Sequence, residues 1–209
     1  MTTTRRRHTI AVCLGLWTLS LTACSTPPPP VLLSLPLPPA EAPVHLVAMA
    51  PAAPASAASA PRFLTVRRVN IPEYLQTDAV RYRQADNTLG EWPGTAWAER
   101  LEVGLTNQLA LLLRQALPAW TVCDAHCPSV PTGQVLIVNI APLDYLRPAG
   151  QLRADVAWRV TGPGSIPTPV AFGGGSSTLP VTSDTPVGQA AAMSALLDTV
   201  AKDVANQLR

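Results

Sequence analysis

The alternation of apolar and polar side chains is clearest over residues 152–160, where every second residue is apolar. A period of two is typical of a strand with one buried face and one polar face. The run 135–140 is almost continuously apolar and predicts a strand that is buried on both faces. Two earlier strands are predicted at 63–71, with a bulge at 67–68 where the alternation shifts, and at 79–83.

Apolar residues at helical spacing predict two long helices. Thr95 is the predicted start of the first helix, Glu99 falls in its first turn, where the helix dipole favours an acidic side chain, and Pro118 ends it. Thr185 is the predicted N-cap of the second helix, with Pro186 at its first position. The expected buried stripes are Trp97, Leu101, Leu105, Leu109, Leu112 and Ala116 on the first helix and Met193, Leu196, Val200, Val204 and Leu208 on the second.

Glycine and proline mark the connections between these elements. They predict a loop at 87–94 and a flexible hairpin end at 173–175, followed by a last strand at 177–181. No lysine follows the three glycines, so a phosphate-binding loop is not expected there. The order of strands, helix, strands and helix predicts one α+β domain over 62–209, a mostly antiparallel sheet with two long helices packed on one face.

The N-terminal 23 residues have the pattern of a signal peptide. Three arginines at positions 5–7 precede an apolar run at 10–21, which is too short to span a bilayer comfortably. Small residues lead to Cys24, and this arrangement resembles a bacterial lipobox, in which the cysteine is acylated and becomes the new N-terminus. Covalent acyl chains would hold the mature protein on a membrane. The alternative is an ordinary secreted protein with a cysteine at this position by chance.

Residues 24–61 contain 11 of the 23 prolines and predict a lipidated, Pro/Ala-rich tether that lifts the domain off the membrane. Two apolar stretches interrupt it, at 31–37 and 44–49. The first is the better candidate for a strand, because a tether has no use for leucines clustered beside a valine.

Two cysteines, Cys123 and Cys127, remain in the folded domain after Cys13 leaves with the signal and Cys24 carries lipid. A secreted protein enters an oxidising compartment, so this pair predicts a disulfide. His126 lies between them and raises the alternative of a zinc site. Three clustered ligands without a fourth make a poor site, and no metal is expected.

Charge and motif content argue against several function classes. Of 15 Lys and Arg residues, three leave with the signal, and the rest nearly balance 13 Asp and Glu residues, so nucleic-acid binding is not expected. No nucleophile elbow and no His-Glu-x-x-His motif occur. Asp144 and Asp155 are expected to be solvated carboxylates. The sequence therefore predicts a protein that is not an enzyme, without catalytic residues and without a cofactor other than the lipid on Cys24.

Three motifs in order carry a resemblance to a known family. They are Val69-Asn70-Ile71-Pro72-Glu73-Tyr74-Leu75, then Val80-Arg81-Tyr82-Arg83, then Trp97-Ala98-Glu99-Arg100-Leu101. Together with the C-terminal amphipathic helix they resemble the ABC-type transport auxiliary lipoproteins, the PqiC-like family. The longer Pro/Ala-rich segment and the pair Cys123 and Cys127 depart from the family pattern.

The resemblance implies an outer-membrane lipoprotein on the periplasmic face. It also implies partners, an MCE-domain protein and the permease and ATPase of an ABC transporter, in moving lipids between membranes. A homo-oligomer is left open. The alternative function is a lipoprotein that scaffolds an outer-membrane protein assembly.

Tyr74 and Trp92 are the predicted partner-binding residues. Both are large aromatics on segments predicted to be turn-rich, and such residues often anchor interfaces. The alternative for Tyr74 is that its ring folds back over the sheet edge as part of the core.

Overall fold

The computed structural model describes residues 28–37, 62–124, 133–164 and 168–209. Within these residues the chain forms two α-helices, two single-turn 3-10 helices and eight strands in one sheet. The strands are β1 (Val31–Leu33), β2 (Arg62–Val66), β3 (Ala79–Arg83), β4 (Leu89–Trp97), β5 (Trp120–Cys123), β6 (Gln134–Leu146), β7 (Gln151–Thr161) and β8 (Pro169–Pro180). The helices are α1 (Leu101–Ala116) and α2 (Pro186–Leu208), and the 3-10 turns are Glu73–Leu75 and Arg147–Ala149.

Strand β6 is the centre of the sheet. One edge of β6 pairs antiparallel with β7, which pairs antiparallel with β8. The other edge pairs first with β2, near Leu136, and further along with β3, at Leu146. The sheet therefore divides on this side of β6 into a branch β2–β5 and a branch β3–β4–β1.

The predicted α+β class is confirmed, but the prediction of a mostly antiparallel sheet is wrong. Four of the seven strand pairings are parallel, namely β1–β4, β2–β5, β2–β6 and β3–β6, so the sheet is mixed. Each parallel pair joins strands that are separated by a crossover rather than by a hairpin. Hydrophobic alternation tells which face of a strand is buried and not which strand lies beside it.

Both helices were predicted, and only the second begins where we expected. Thr185 caps α2 by accepting a hydrogen bond from the backbone N–H of Gly188 at 3.0 Å, and Pro186 occupies the first position. Helix α1 begins at Leu101 and not at Thr95, because residues 95–97 pair with β1 as the end of β4. Glu99 consequently lies before the helix, and Glu102 is the acidic residue in its first turn.

The loop predicted at 87–94 is mostly strand. Asn87 takes a left-handed φ of 67° in a tight turn, and β4 then runs from Leu89 through Pro93 to Trp97. Pro93 is tolerated because the register between β3 and β4 shifts around it, between Ala79 and Arg81. The turn-forming residues there mark an irregularity inside a strand rather than a loop.

The glycines at 173–175 also lie inside a strand, and the predicted hairpin end is wrong. A Cβ on Gly173 would lie 2.6 Å from the Trp158 ring, and one on Gly174 would lie 2.1 Å from the carbonyl oxygen of Val156. β8 approaches β7 this closely because it has no side chains here.

A single hydrophobic core lies between one face of the sheet and the helices. In β7 the side chains from Leu152 to Val160 alternate as predicted between buried and outward-facing positions. The Nε1 of Trp158 reaches across to Asp203 on α2 at 2.8 Å. The first half of β6 alternates too, with Leu136 buried and Asn139 exposed, so this strand is not buried on both faces as predicted.

The segment 28–37 is attached to the domain. β1 lies within the stretch where a strand was predicted and pairs with the end of β4. The signal at 1–23, Cys24, the rest of the predicted tether at 38–61, and Cys127 lie outside the described residues. Among the helices that the structure describes, none is both long and apolar enough to cross a bilayer.

Candidate partner-docking site

An aromatic cluster forms where the β3–β4 hairpin meets the start of α2. Tyr82 lies opposite Gly90 in the ladder, and its ring covers that glycine before meeting the Trp92 ring, at a centroid distance of 5.1 Å. Trp92 in turn stacks on Tyr145, with centroids 6.5 Å apart and planes 12° from parallel. The three rings therefore form a row from the sheet surface to the buried Tyr145.

Hydrogen bonds fix Trp92 in this row. Its Nε1 donates to the Oε1 of Gln189 at 2.9 Å, and the Nε2 of Gln189 donates to the carbonyl of Arg81 at 2.7 Å. Gln189 is 1% exposed, so its amide depends on these partners. This amide links α2 to both strands of the hairpin.

Arg147 covers the outer side of the row. Its guanidinium carbon lies 4.2 Å from the Trp92 ring centroid and 4.7 Å from that of Tyr82, within the range of cation–π attraction. The Nε of Arg147 donates to Asp184 at 3.0 Å, and the Tyr145 hydroxyl donates to the same carboxylate at 2.8 Å. The side chain of Arg147 is 36% exposed, so part of its guanidinium faces solvent. We call Tyr82, Trp92, Tyr145 and Arg147 the aromatic–arginine cluster.

A shallow cavity of about 390 Å³ opens beside this cluster. Exposed turn residues and the Arg147–Asp184 pair form its walls. It is lined by Tyr82, Gln84, Ala85, Arg147, Pro148 and Asp184. The cavity offers an aromatic face, a cation and an anion to a docking side chain.

The ionisation states in the cluster are fixed by its surroundings. Burial, and then the hydrogen bond to Asp184, raises the pKa of Tyr145 to about 12. The hydrogen bond from Arg147 to Asp184 raises the pKa of the guanidinium further. Tyr145 is therefore a neutral donor and Arg147 a cation at neutral pH, which suits recognition better than proton transfer.

A second network surrounds Asp144, which is 4% exposed. Its Oδ1 accepts hydrogen bonds from the Tyr74 hydroxyl at 2.9 Å and from the Nη2 of Arg83 at 3.0 Å. Arg153 reaches the other oxygen at 3.3 Å. Burial, with help from Asp144, raises the pKa of Tyr74. The expectation that Asp144 is solvated is wrong, because β6 turns its side chain toward two arginines from neighbouring strands.

The structure places Tyr74 and Trp92 at the same end of the sheet but in different networks. Both side chains are half-buried and pack against the core, so neither ring projects freely into solvent. The alternative interpretation of Tyr74, a ring folded over the sheet edge, matches this position. Whether either residue contacts a partner stays a prediction.

The other predicted site residues are only partly described. Cys123 ends β5 opposite Thr65 and is half-buried. Cys127, Cys24, His45 and His126 are outside the described residues, so the disulfide and the lipidation stay predictions. Among the side chains that the structure describes, no group of three His, Cys, Asp or Glu residues could hold a metal ion.

Sequence reasoning missed most of the cluster. Tyr82, Tyr145, Arg147, Asp184 and Gln189 were not predicted to act together. They come from β3, β6, the second 3-10 turn, the loop before α2 and α2 itself, and Gln189 is 97 residues from Trp92. Gly90 opposite an aromatic residue was the one local signal, and it can be recognised only after the hairpin register is known.

Two solved structures share this fold. One, described only as an uncharacterized protein, is 21% identical to this chain, with a TM-score of 0.61 over 71% of this chain and 92% of its own length. The other is a DUF330 protein from Xanthomonas campestris, 15% identical, with a TM-score of 0.53 over 68% and 80% of the two chains. No curated protein sequence is significantly similar to the chain.

The family itself is identified by sequence. The family model described as "ABC-type transport auxiliary lipoprotein component" matches residues 45–205, which include β2 to β8, α1 and nearly all of α2. That match covers well over half of the chain and agrees with the resemblance carried by the motifs around Tyr74, Tyr82 and Trp97. The chain belongs to the ABC-type transport auxiliary lipoprotein family.

Proposed function

We propose that the protein is a lipid-anchored, non-catalytic component of an ABC transport system that moves lipids between membranes. Its partners in this proposal are an MCE-domain protein and the ABC permease and ATPase. The observation that carries the proposal is the family match over 45–205, because it spans the described domain except β1 with its flanking residues and the last four residues of the chain. The fold supports it with a surface suited to docking.

The anchor in this proposal is Cys24. Ser25 follows it, and the position lacks the aspartate that retains many bacterial lipoproteins at the inner membrane. We therefore place the protein on the periplasmic face of the outer membrane. Membrane fractionation of cells that express the full-length chain tests this placement.

The aromatic–arginine cluster is the proposed docking surface. Tryptophan, tyrosine and arginine are the residues most often found at energetic centres of protein interfaces. Here Trp92 and Tyr82 are already held in place by Gln189 and Gly90, so binding costs little side-chain entropy. The exposed part of Arg147 and the cavity beside it provide a cation and a recess for a partner's side chain.

The non-catalytic assignment is supported by how the polar groups are used. Asp144 is bound by Tyr74 and two arginines, and Asp184 is bound by Tyr145 and Arg147. Both carboxylates thus accept hydrogen bonds from arginine and tyrosine side chains, and Asp144 is in addition buried, whereas Asp184 also lines the shallow cavity. A general base would need a free lone pair near a substrate.

Affinity purification of the lipidated full-length protein from native membranes tests the function. We expect recovery of an MCE-domain protein with the permease and ATPase. Recovery of an outer-membrane barrel protein without any transport component would instead support the scaffold alternative and overturn the proposal.

A blocking variant tests the docking surface. Ala85 is exposed on the cavity wall, so Ala85→Trp should fill the cavity without removing a core contact. Ala157 is exposed on the outer face of β7, and Ala157→Trp is the matched control. We expect several-fold lower partner recovery for the first variant only, at equal thermal stability. Equal recovery with both variants would place the interface elsewhere.

A further inference from the structure

The segment that follows the predicted anchor is a fixed part of the domain. β1 pairs with β4 from Val31 opposite Thr95 to Leu33 opposite Trp97. Just beyond it, the carbonyl of Leu33 accepts from the N–H of Ala98 at 2.8 Å. The carbonyl of Pro36 accepts from the Nε2 of Gln108, on α1, at 2.7 Å. Leu33 and Leu35 pack against the core.

This attachment shortens the connection between anchor and domain. Only residues 25–30 separate Cys24 from Val31. A chain of that length spans at most about 25 Å, because one residue adds no more than about 3.6 Å. Residues 38–61 come after the attached segment, so their length does not separate the domain from Cys24. The prediction of a long tether that lifts the domain from the membrane does not fit this geometry.

The surface at the end of this short connection is apolar. Val31 is 70% exposed, Leu32 is 65% exposed and Leu37 is 79% exposed. These are three of the seven large hydrophobic side chains that are exposed among the described residues. No charged residue occurs from position 25 to position 40, so nothing in this stretch repels or binds a charged headgroup. Exposed apolar side chains that are concentrated in one short, uncharged stretch favour a contact surface.

We propose that the β1 edge of the sheet rests on the bilayer that holds the anchor, with Val31 and Leu32 at the boundary between headgroups and acyl chains. This inference rests on the acylation of Cys24. We expect the contact to be with a bilayer rather than with a protein, because the connection to Cys24 keeps Val31 within about 25 Å of the lipid surface. The strand order β1–β4–β3–β6–β7–β8 then places β8 about 24 Å further away, at five strand spacings of about 4.8 Å.

Photo-crosslinking in vesicles tests this orientation. The lipidated full-length protein is reconstituted in phosphatidylcholine vesicles with p-benzoylphenylalanine in place of Leu32 or, as the control, in place of Phe172. Phe172 is 76% exposed on β8 and is equally apolar. We expect several-fold more phospholipid adduct at position 32 than at position 172. Equal adduct at both positions, or more at 172, would overturn the proposal.

Two insertion variants distinguish the effect of the short connection from the effect of the anchor. A Gly-Ser spacer after Ser25 should lower adduct formation at position 32, whereas the same spacer after Ala50 should leave it unchanged. The opposite pattern would show that the 38–61 segment sets the distance and would refute the orientation. Vesicle flotation reports the anchor independently: protein that does not float has lost acylation, whereas floating protein without adduct contradicts only the orientation.

Discussion

The ring of Tyr82 lies directly over Gly90, so close that a Cβ at Gly90 would stand 2.6 Å from two of its ring atoms. The absence of a side chain at Gly90 allows the Tyr82 ring to pack across this position and to contact Trp92 and Arg147. A cross-strand pair of aromatic residue and glycine protects the glycine backbone from water and fixes the ring.

Gly90→Ala should therefore displace Tyr82 and disturb the cluster. We expect a loss of about 1–3 kcal/mol in the free energy of unfolding, the usual cost of overpacking. Urea denaturation measures it. Leu89→Ala, at the adjacent and exposed position, is the control and should cost much less. Equal stability of Gly90→Ala and the wild type would mean that the ring moves away freely.

Trp92→Phe should destabilise the domain by leaving the buried Gln189 amide without its donor. An unsatisfied buried polar group costs about 1–3 kcal/mol. The double variant Trp92→Phe with Gln189→Leu removes both partners and should be less destabilised than the sum of the single variants. Strict additivity of the two changes would show that the hydrogen bond contributes nothing.

Alkaline pH should lower the free energy of unfolding, because the buried phenol of Tyr145 ionises more readily in the unfolded chain. Its pKa is raised from 10.0 to about 12 in the folded protein, so the folded state favours the neutral phenol. The stabilisation is fully present below pH 10 and is lost as the pH rises from 10 to 12, by about 3 kcal/mol at most. Unfolding free energies across this range measure the slope. Tyr145→Phe should flatten it, and an unchanged slope in that variant would assign the effect to another group.

Cys123 and Cys127 should be linked by a disulfide in protein taken from the periplasm. Non-reducing peptide mapping identifies the link. Closing so short a loop contributes about 2 kcal/mol on the chain-entropy argument, so replacing both cysteines by serine should lower stability modestly and leave the fold intact. Two freely alkylatable thiols would refute the prediction, and stoichiometric zinc would favour the metal alternative.

Cys24→Ala should abolish acylation and release the protein from membranes. Intact-mass spectrometry of the mature protein is the direct measurement, since each acyl chain adds a defined mass. The wild type should begin at an acylated Cys24. An unmodified cysteine there would contradict the anchor, and with it the orientation of the domain on the bilayer.

Sequence predicted the elements with strong local signals and failed where contacts between distant residues decide the structure. The strict alternation around Trp158 and the cap at Thr185 were enough to predict β7 and the start of α2. The turn-forming residues near Pro93 were misleading, because a register shift accommodates them inside β4. Of the aromatic–arginine cluster only Trp92 was predicted, because it stands out as an aromatic residue, whereas Arg147 acquires its role only from rings contributed by other strands.

The attachment of β1 also determines how far the domain can travel. Three residue pairs hold β1 to β4, and while they hold, the first fixed residue after the anchor is Val31. If β1 leaves β4 and the segment through Leu37 detaches, the next residue that pairs in the sheet is Arg62, and 37 residues separate it from Cys24. The maximum reach then rises from about 25 Å to about 137 Å, at about 3.6 Å per residue. The three-residue strand β1 thus determines whether the domain is confined to the membrane surface or can extend well away from it.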